Sequence, residues 1–192
     1  MTTKHELRQH YLEKRKNLSD LEVHEKSLKI VHELMISQVI PLSLKKIALY
    51  APIHKEVETF SLYQSLLSRG VQTYFPRLFK SRDIEFALAT TWEDLVLTSK
   101  GFLEPSSMKK VEPLPSIEAI IVPGIVFDHS GFRIGYGLGC YDKALKGYQG
   151  LKIGLAYDFQ VVSSVPHEES DVAMDWVVTE EKIIQKTEGR IL

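Results

Sequence analysis

The segment from Arg133 to Lys143 combines features that suit an anion-binding loop. It carries three glycines at alternate positions, Gly135, Gly137 and Gly139, and has a cation at each end. Glycine lets the backbone adopt positive φ and approach a ligand closely, so such a loop can turn its N–H groups towards phosphate oxygens. A glycine-rich turn that binds nothing has the same spacing, and the spacing alone does not separate these two interpretations.

Asp142 adds a carboxylate to this segment, at a point where a Mg²⁺ ion carried by phosphates would need an oxygen ligand. The run from Cys140 to Leu145 lacks glycine and proline and suits the start of a helix, whose N-terminal end would also favour anions. Two better-known patterns are excluded, because no Gly-Lys-Ser/Thr completes a P-loop and the third glycine of the dinucleotide fingerprint would fall at Cys140. The loop therefore predicts an anion site without identifying the anion.

Two cations near the N-terminus are further candidates for binding phosphate. Lys4 and Arg8 are four residues apart in a predicted helix, so they share one face and repel each other unless an anion lies between them. A solvated basic face that continues through residues 14–16 accounts for the same residues.

A pair of acids follows the first predicted strand. Glu56 and Glu58 lie on the same side if the segment is extended, where they could bind a metal or accept hydrogen bonds from an amino-substituted heterocycle. The alternative is a surface pair at the start of a helix. Arg77 follows the next strand and places one more cation on the same presumed ligand side, at the carboxyl ends of the strands.

The elements that would position these residues form an alternating α and β pattern. Capping-box signals at Thr3 and Ser19 predict an N-terminal pair of helices, the first running to about Lys16 and the second ending at Pro41. The predicted strands are Lys46 to Tyr50, Val71 to Phe75, Ile84 to Ala89, Ala119 to Val122, Leu151 to Tyr157 and Trp176 to Val178. A helix from Phe60 to Ser68, closed by Gly70, makes the first two strands a parallel βαβ unit. The segment from Thr90 to Pro115 is predicted to be mostly loop.

The pattern predicts one α/β domain over residues 1–192, with a mostly parallel Rossmann-like central sheet flanked by helices. The formal net charge is −1, from 24 basic and 25 acidic residues, which argues against a nucleic-acid partner. The sequence has no run of about 18 apolar residues, so it predicts no membrane span, and its first residues lack the apolar segment of a secretion signal. The single cysteine, Cys140, excludes an intrachain disulfide and suits a reducing, cytoplasmic location. We assign it a packing role, and we assign the seven histidines, which show no metal-binding spacing, to the surface.

Taken together, these segments resemble the 5-formyltetrahydrofolate cyclo-ligase (5,10-methenyltetrahydrofolate synthetase) family from one end of the chain to the other. The glycine-rich block from Gly131 to Asp142 is the most specific part of the match. The other matching segments are Lys4 to Arg8 with Arg15, Glu56 to Thr59, Pro76-Arg77, Gly101 to Pro105, Val122 to Asp128 and Asp171 to Glu180.

The resemblance implies an enzyme that uses ATP and Mg²⁺ to convert 5-formyltetrahydrofolate to 5,10-methenyltetrahydrofolate, and that acts on these small molecules as a cytoplasmic monomer. It implies that Arg133 and Asp142 are catalytic, that Asp142 and Asp175 hold Mg²⁺, and that Ala51 and Glu56 contact the folate. The implied ATP-binding residues are Lys4, Arg8, Arg133, Ile134, Gly135, Tyr136, Gly137, Leu138, Gly139, Cys140 and Tyr141.

Two positions depart from the pattern of the family. Leu138 stands where members of the family commonly have a small or basic residue. Cys140 stands where they generally have an aromatic residue, so the ring stacking against the ligand that the family pattern implies is not expected here. Two other functions are kept as alternatives: a folate- or nucleotide-binding module without turnover, and a sugar-phosphate isomerase on a related sheet.

Overall fold

This computed structural model describes residues 2–99 and 101–186, which contain four α-helices and thirteen β-strands. The helices are α1 (Lys4–Lys16), α2 (Asp20–Ile36), α3 (Phe60–Ser68) and α4 (Cys140–Leu145). The strands are β1 (Lys46–Ala48), β2 (Gln72–Leu78), β3 (Ile84–Ala89), β4 (Leu95–Leu97), β5 (Leu103–Pro105), β6 (Val111–Glu112), β7 (Ala119–Val122), β8 (Val126–Asp128), β9 (Arg133–Ile134), β10 (Leu151–Leu155), β11 (Val161–Val162), β12 (Trp176–Val178) and β13 (Ile183–Gln185).

Eight strands form the central sheet, in the order β13-β12-β10-β7-β1-β2-β3-β6. The five strands from β12 to β2 pair in parallel, whereas β13 at one edge and β3 and β6 at the other pair antiparallel. All four residues of β7 are buried, as its uninterrupted apolar run predicts for a strand covered on both faces. The predicted α/β class, with a mostly parallel sheet, is therefore confirmed.

Alternate residues of the inner strands pack against helices on opposite faces of the sheet. Ile121 belongs to the apolar cluster that includes residues of α2 and α3, while its neighbours Ile120 and Val122 belong to the cluster that includes Leu145 of α4. This alternation follows from the two-residue period of a strand. It leaves the C-terminal ends of the parallel strands free to carry the loops of the site.

The two N-terminal helices begin where the sequence predicts. Thr3 and Ser19 each accept a hydrogen bond in a complete capping box. The second helix ends at Ile36, five residues before the predicted stop, because the chain turns at Gln38 with φ +61°. Leu28, which fits the apolar pattern of this helix, is 44% exposed.

A small three-stranded sheet, β11-β8-β9, carries the glycine-rich segment and was not predicted from the sequence. Its buried residues include Val126 and Ile134, and the partly buried Leu7, Tyr11 and Leu12 of α1 pack against them. Because these apolar residues fix α1 over the β8–β9 hairpin, the cations on the adjacent face of α1 lie beside the loop that follows β9.

Two further sequence predictions have mixed outcomes. The segment from Thr90 to Pro115, which was predicted to be mostly loop, also contains three short strands that were not predicted, β4, β5 and β6. All seven histidines are exposed, as predicted. Within the described residues, no helix has both the length and the apolar character needed to cross a membrane.

Candidate active site

The glycine-rich loop between β9 and α4 presents unpaired backbone donors to solvent. Gly137 and Gly139 have φ of +91° and +68°. Gly135 lacks a positive φ, so the expectation that all three glycines use that freedom is wrong at this position. Across the described chain, the N–H groups of residues 136–139 have no hydrogen-bond acceptor. Four exposed amides without acceptors are what an anion-binding loop requires.

Arg8 of α1 lies directly against this loop. Its Nε donates to the carbonyl oxygen of Gly135 over 2.7 Å. A Cβ at Gly137 would lie 3.3 Å from the Arg8 guanidinium, so the absence of a side chain there allows the close approach. The expectation that Arg8 faces the anion loop is therefore supported over the alternative of a solvated basic face.

Lys4 lies one helical turn before Arg8 and faces the segment before β12. Its Nζ is 2.6 Å from Asp171 Oδ2 and 3.5 Å from Glu168 Oε1. Burial works to lower the pKa of Lys4, but the hydrogen bond and the charge of Asp171 raise it above its ordinary value. Lys4 is thus paired with a carboxylate of the segment before β12, and its role on phosphate stays a prediction.

Arg133 and Asp142 form a buried ion pair behind the loop. Arg133 NH1 is 3.1 Å from Asp142 Oδ1 and donates to the carbonyl oxygen of Val172 over 3.1 Å. The Val172 N–H also donates to Asp142 Oδ1, over 3.2 Å. The Arg133 side chain is only 4% exposed, and it is held by Asp142 and Val172. A direct contact between Arg133 and phosphate therefore stays a prediction.

The two predicted metal ligands, Asp142 and Asp175, have different surroundings. Asp142 Oδ1 is 3.1 Å from Arg133 NH1, and Asp175 Oδ2 accepts from the backbone N–H of Lys152 at 2.8 Å and lies 2.9 Å from its Nζ. Each carboxylate keeps its second oxygen free of any hydrogen bond to the described residues. No three His, Cys, Asp or Glu side chains are grouped to hold a metal in residues 2–99 and 101–186. Since Mg²⁺ is usually bound by one or two carboxylates together with phosphate oxygens and waters, either aspartate offers one oxygen for such an ion, and the metal role of both stays a prediction.

Glu56 forms the second part of the site, in the segment after β1. It is 4% exposed, and its Oε2 accepts a hydrogen bond from the Ile53 N–H at 3.0 Å. Its Oε1 makes no hydrogen bond of standard geometry to the described residues, although the Tyr136 hydroxyl lies close enough to help lower its pKa. Desolvation raises the pKa of Glu56 to about 7, although the nearby Arg15 works to lower it. A buried carboxylate oxygen without a partner is a place where a ligand donor would be strongly favoured.

Glu58 does not share this pocket with Glu56. It pairs with His24 at 2.9 Å on the surface, where both side chains are exposed to solvent, whereas Glu56 is buried. The suggestion that the two acids act together on a metal is therefore wrong. Ala51, the other predicted substrate residue, is partly buried at the start of the same segment.

Arg15 is a site residue to which the sequence assigned no role. It is 1% exposed, and its guanidinium donates to the carbonyl oxygens of His54 (3.0 Å) and Gly124 (3.1 Å) and to the Tyr136 hydroxyl (2.5 Å). Its NH2 is 4.0 Å from Glu56 Oε1. One signal was present, because Arg15 is seven residues after Arg8 and a helix returns to nearly the same face after seven residues.

The remaining predicted residues have less direct relations to the site. Cys140 is buried, and burial raises the pKa of its thiol, which supports the packing role. Leu138 is 49% exposed in the loop. Arg77 contacts Ser106 and Glu85, neither of which belongs to the predicted site.

Comparison with known proteins gives consistent matches over most of the chain. The model of the 5-formyltetrahydrofolate cyclo-ligase family matches residues 1–180. The 5-formyltetrahydrofolate cyclo-ligase of Escherichia coli (strain K12) is 32% identical, over 71% of this chain and 79% of the relative. That of Haemophilus influenzae is 30% identical, over 83% of this chain and 88% of the relative.

Two solved structures have the same fold. The NMR structure of Aquifex aeolicus 5,10-methenyltetrahydrofolate synthetase matches with a TM-score of 0.84 and 34% identity, over 98% of this chain and 95% of that chain. The synthetase of Mycoplasma pneumoniae matches with a TM-score of 0.78 and 25% identity, over 93% of this chain and 99% of that chain.

Proposed function

This chain belongs to the 5-formyltetrahydrofolate cyclo-ligase family, and we propose that it catalyses the ATP-dependent cyclisation of 5-formyltetrahydrofolate to 5,10-methenyltetrahydrofolate, releasing ADP and phosphate. One structural observation carries the proposal. A loop with four unpaired amides lies next to a buried carboxylate that has an unpartnered oxygen, and Tyr136 of that loop reaches Arg15 beside Glu56. The proposed anion site and the proposed heterocycle site are thereby adjacent, as a reaction between ATP and a folate requires.

The proposed reaction has two steps. The formyl oxygen attacks the γ-phosphorus of ATP, so that a new O–P bond forms while the bond from that phosphorus to the ADP oxygen breaks. The folate N10 then attacks the formyl carbon and loses its proton, and the C–O bond breaks as phosphate leaves. Phosphorylation is needed because the oxygen of an amide-like formyl group is a poor leaving group. The protein then acts mainly by positioning and by neutralising charge.

The residues divide between these tasks. The amides of the loop and the cations Lys4 and Arg8 would bind the phosphates. Glu56 would accept hydrogen bonds from the amino and ring N–H groups of the pterin, with Ala51 beside it. Asp142 would hold Mg²⁺ through its uncommitted oxygen, and Asp175 is the second candidate for this role. When bound, this ion would neutralise charge on the phosphates.

The test is to mix the purified protein with 5-formyltetrahydrofolate and MgATP and to follow the near-ultraviolet absorbance of the methenyl product. We expect a rise that requires ATP and Mg²⁺ and is accompanied by ADP. Turnover without ADP release would contradict the ATP-dependent reaction. Folate binding without any turnover would instead support a binding module.

We also propose that the chain is a single domain that acts as a monomer in the cytoplasm. One free buried cysteine supports a reducing compartment. Light scattering after gel filtration should give a mass near 21.9 kDa, and a mass of twice that value would contradict the proposed monomer.

A further inference from the structure

The buried guanidinium of Arg15 joins three segments that are far apart in the sequence. Its three acceptors lie in the segment after β1, in the turn between β7 and β8, and in the glycine-rich loop after β9. All three acceptors are neutral, and the nearby carboxylate is Glu56 at 4.0 Å. Burying a guanidinium is costly unless it is well hydrogen-bonded and a counter-charge is close.

The surroundings of Arg15 include the one Glu56 oxygen that is still available to a ligand. Oε1 points towards Arg15 without forming a hydrogen bond, and the Tyr136 hydroxyl, which accepts from Arg15, also lies close to Glu56. Because the Tyr136 oxygen accepts from Arg15, its own O–H is free to turn towards the carboxylate or towards a ligand. The orientation of the tyrosine is therefore set by Arg15.

The same stretch of loop is fixed from its other side by Arg8. Arg8 donates to the carbonyl oxygen of Gly135, the residue directly before Tyr136, and its guanidinium lies in the space that a Cβ at Gly137, the residue directly after it, would face. Two arginines two helical turns apart on α1 thus hold the backbone and the side chain of the same short segment. They do different work, since Arg8 faces the exposed amides and Arg15 faces the buried carboxylate.

We infer that Arg15 is a positioning residue for the folate half of the site, which acts through Tyr136 and Glu56 on recognition of the pterin and leaves recognition of ATP to Arg8 and the loop amides. This inference rests on the proposed function. It assigns the Tyr136 side chain to the folate, whereas the backbone of the same residue belongs to the phosphate loop.

The test compares Tyr136→Phe, Arg15→Lys and the double variant with wild type, and uses Lys14→Met as a control on the exposed side of α1. Tyr136→Phe keeps the ring and removes only the hydroxyl from a loop residue that is 38% exposed, so the fold should tolerate it. We expect it to raise the KM for 5-formyltetrahydrofolate about ten-fold, the effect of losing one hydrogen bond to a charged group, and to leave the KM for ATP within about two-fold. Arg15→Lys should show the same split, and the double variant should be no worse than Arg15→Lys alone.

Three outcomes would overturn the inference: an equal rise in both KM values, a Tyr136→Phe variant that behaves like the Lys14→Met control, or effects of the two substitutions that simply multiply. Each of these outcomes would mean that Arg15 has only a structural role. Thermal unfolding of every variant would then show a loss of stability that accounts for the kinetic effects. Failure of the proposed function is a separate result, because it appears as absence of turnover in the wild type. In that case the dissociation constants of wild type and Tyr136→Phe for 5-formyltetrahydrofolate, measured by calorimetry without ATP, still test the role of Arg15.

Discussion

Replacing Glu56 by glutamine should change how the stability of the ligand-free protein depends on pH. Desolvation raises the pKa of this carboxyl from its ordinary 4.5 to about 7. The folded state therefore holds the proton more tightly than the unfolded state does. The contribution of Glu56 to stability is fully present below pH 4.5, falls as the pH rises towards 7, and is constant above that. At about 1.4 kcal/mol per pH unit, the whole change is about 3 kcal/mol.

Glutamine has nearly the same shape and can still accept from the Ile53 N–H, but it does not titrate. The free energy of unfolding of Glu56→Gln, relative to wild type, should therefore rise by about 2–3 kcal/mol between pH 5 and pH 8. The corresponding rise in relative Tm is about 4–10 °C for a chain of this size. A constant offset is also expected, because Arg15 loses a nearby negative charge. This offset does not depend on pH, so the test is how the difference in unfolding free energy between Glu56→Gln and wild type changes with pH.

Urea unfolding of both proteins at pH 5, 6, 7 and 8 measures this difference. Glu25→Gln is the control for removing an exposed carboxylate from the surface of α2, and it should not reproduce the rise. Parallel stability curves for wild type and Glu56→Gln would refute the reasoning, because they would mean that Glu56 titrates normally. The same variant should bind 5-formyltetrahydrofolate far more weakly, since its amide N–H would face the pterin donors.

Three further predictions concern the phosphate side of the site. Asp142→Asn should remove most Mg²⁺-dependent turnover and spare folate binding in calorimetry, and unchanged activity would contradict the metal role. Gly131→Ala should lower the free energy of unfolding, measured in urea, by about 2–4 kcal/mol, because φ is +84° and the new Cβ would lie 2.2 Å from the Met174 carbonyl oxygen. The control Gly147→Ala, at φ +78° with open space around the new Cβ, should lower it by only about 1 kcal/mol. Equal losses in the two variants would show that the clash at Gly131 relaxes. Arg8→Ala should raise the KM for ATP at least about ten-fold in the absorbance assay, while the KM for the folate changes little. A change in the folate KM alone would contradict the assignment of Arg8 to ATP and of Arg15 to the folate.

Local signals account for the parts of the fold that were predicted well. The boundaries of α3, β3, β7 and β12 agree with the sequence predictions residue for residue, and α4 begins at Cys140 as predicted. Capping boxes, an uninterrupted apolar strand and a glycine after α3 act over three to five residues, so they are legible in the sequence. The β8–β9 hairpin and β11 were missed because strands of two or three residues have no period of their own and are stabilised by pairing with distant segments.

The candidate site shows the same division. Residue type and spacing identified the glycine-rich loop as a candidate anion site. The same reasoning left Lys4, Arg8 and Glu56 as candidates with an equally simple surface role, and only the resemblance to the family favoured a place for them in the site. The pairing of Asp175 with Lys152 was not foreseen, because the two residues are 23 positions apart and meet only through the parallel strands β10 and β12.

The sequence by itself determined which residues are present and, through local periodicity, which helix or strand most of them occupy. It also determined the family, because matching segments occur in order along the chain. Only the tertiary structure decided that the pKa of Glu56 is raised and that Arg15 is buried beside it. Desolvation depends on what surrounds a group from all sides, and Arg15 meets segments around positions 54, 124 and 136 that no local signal in the sequence connects.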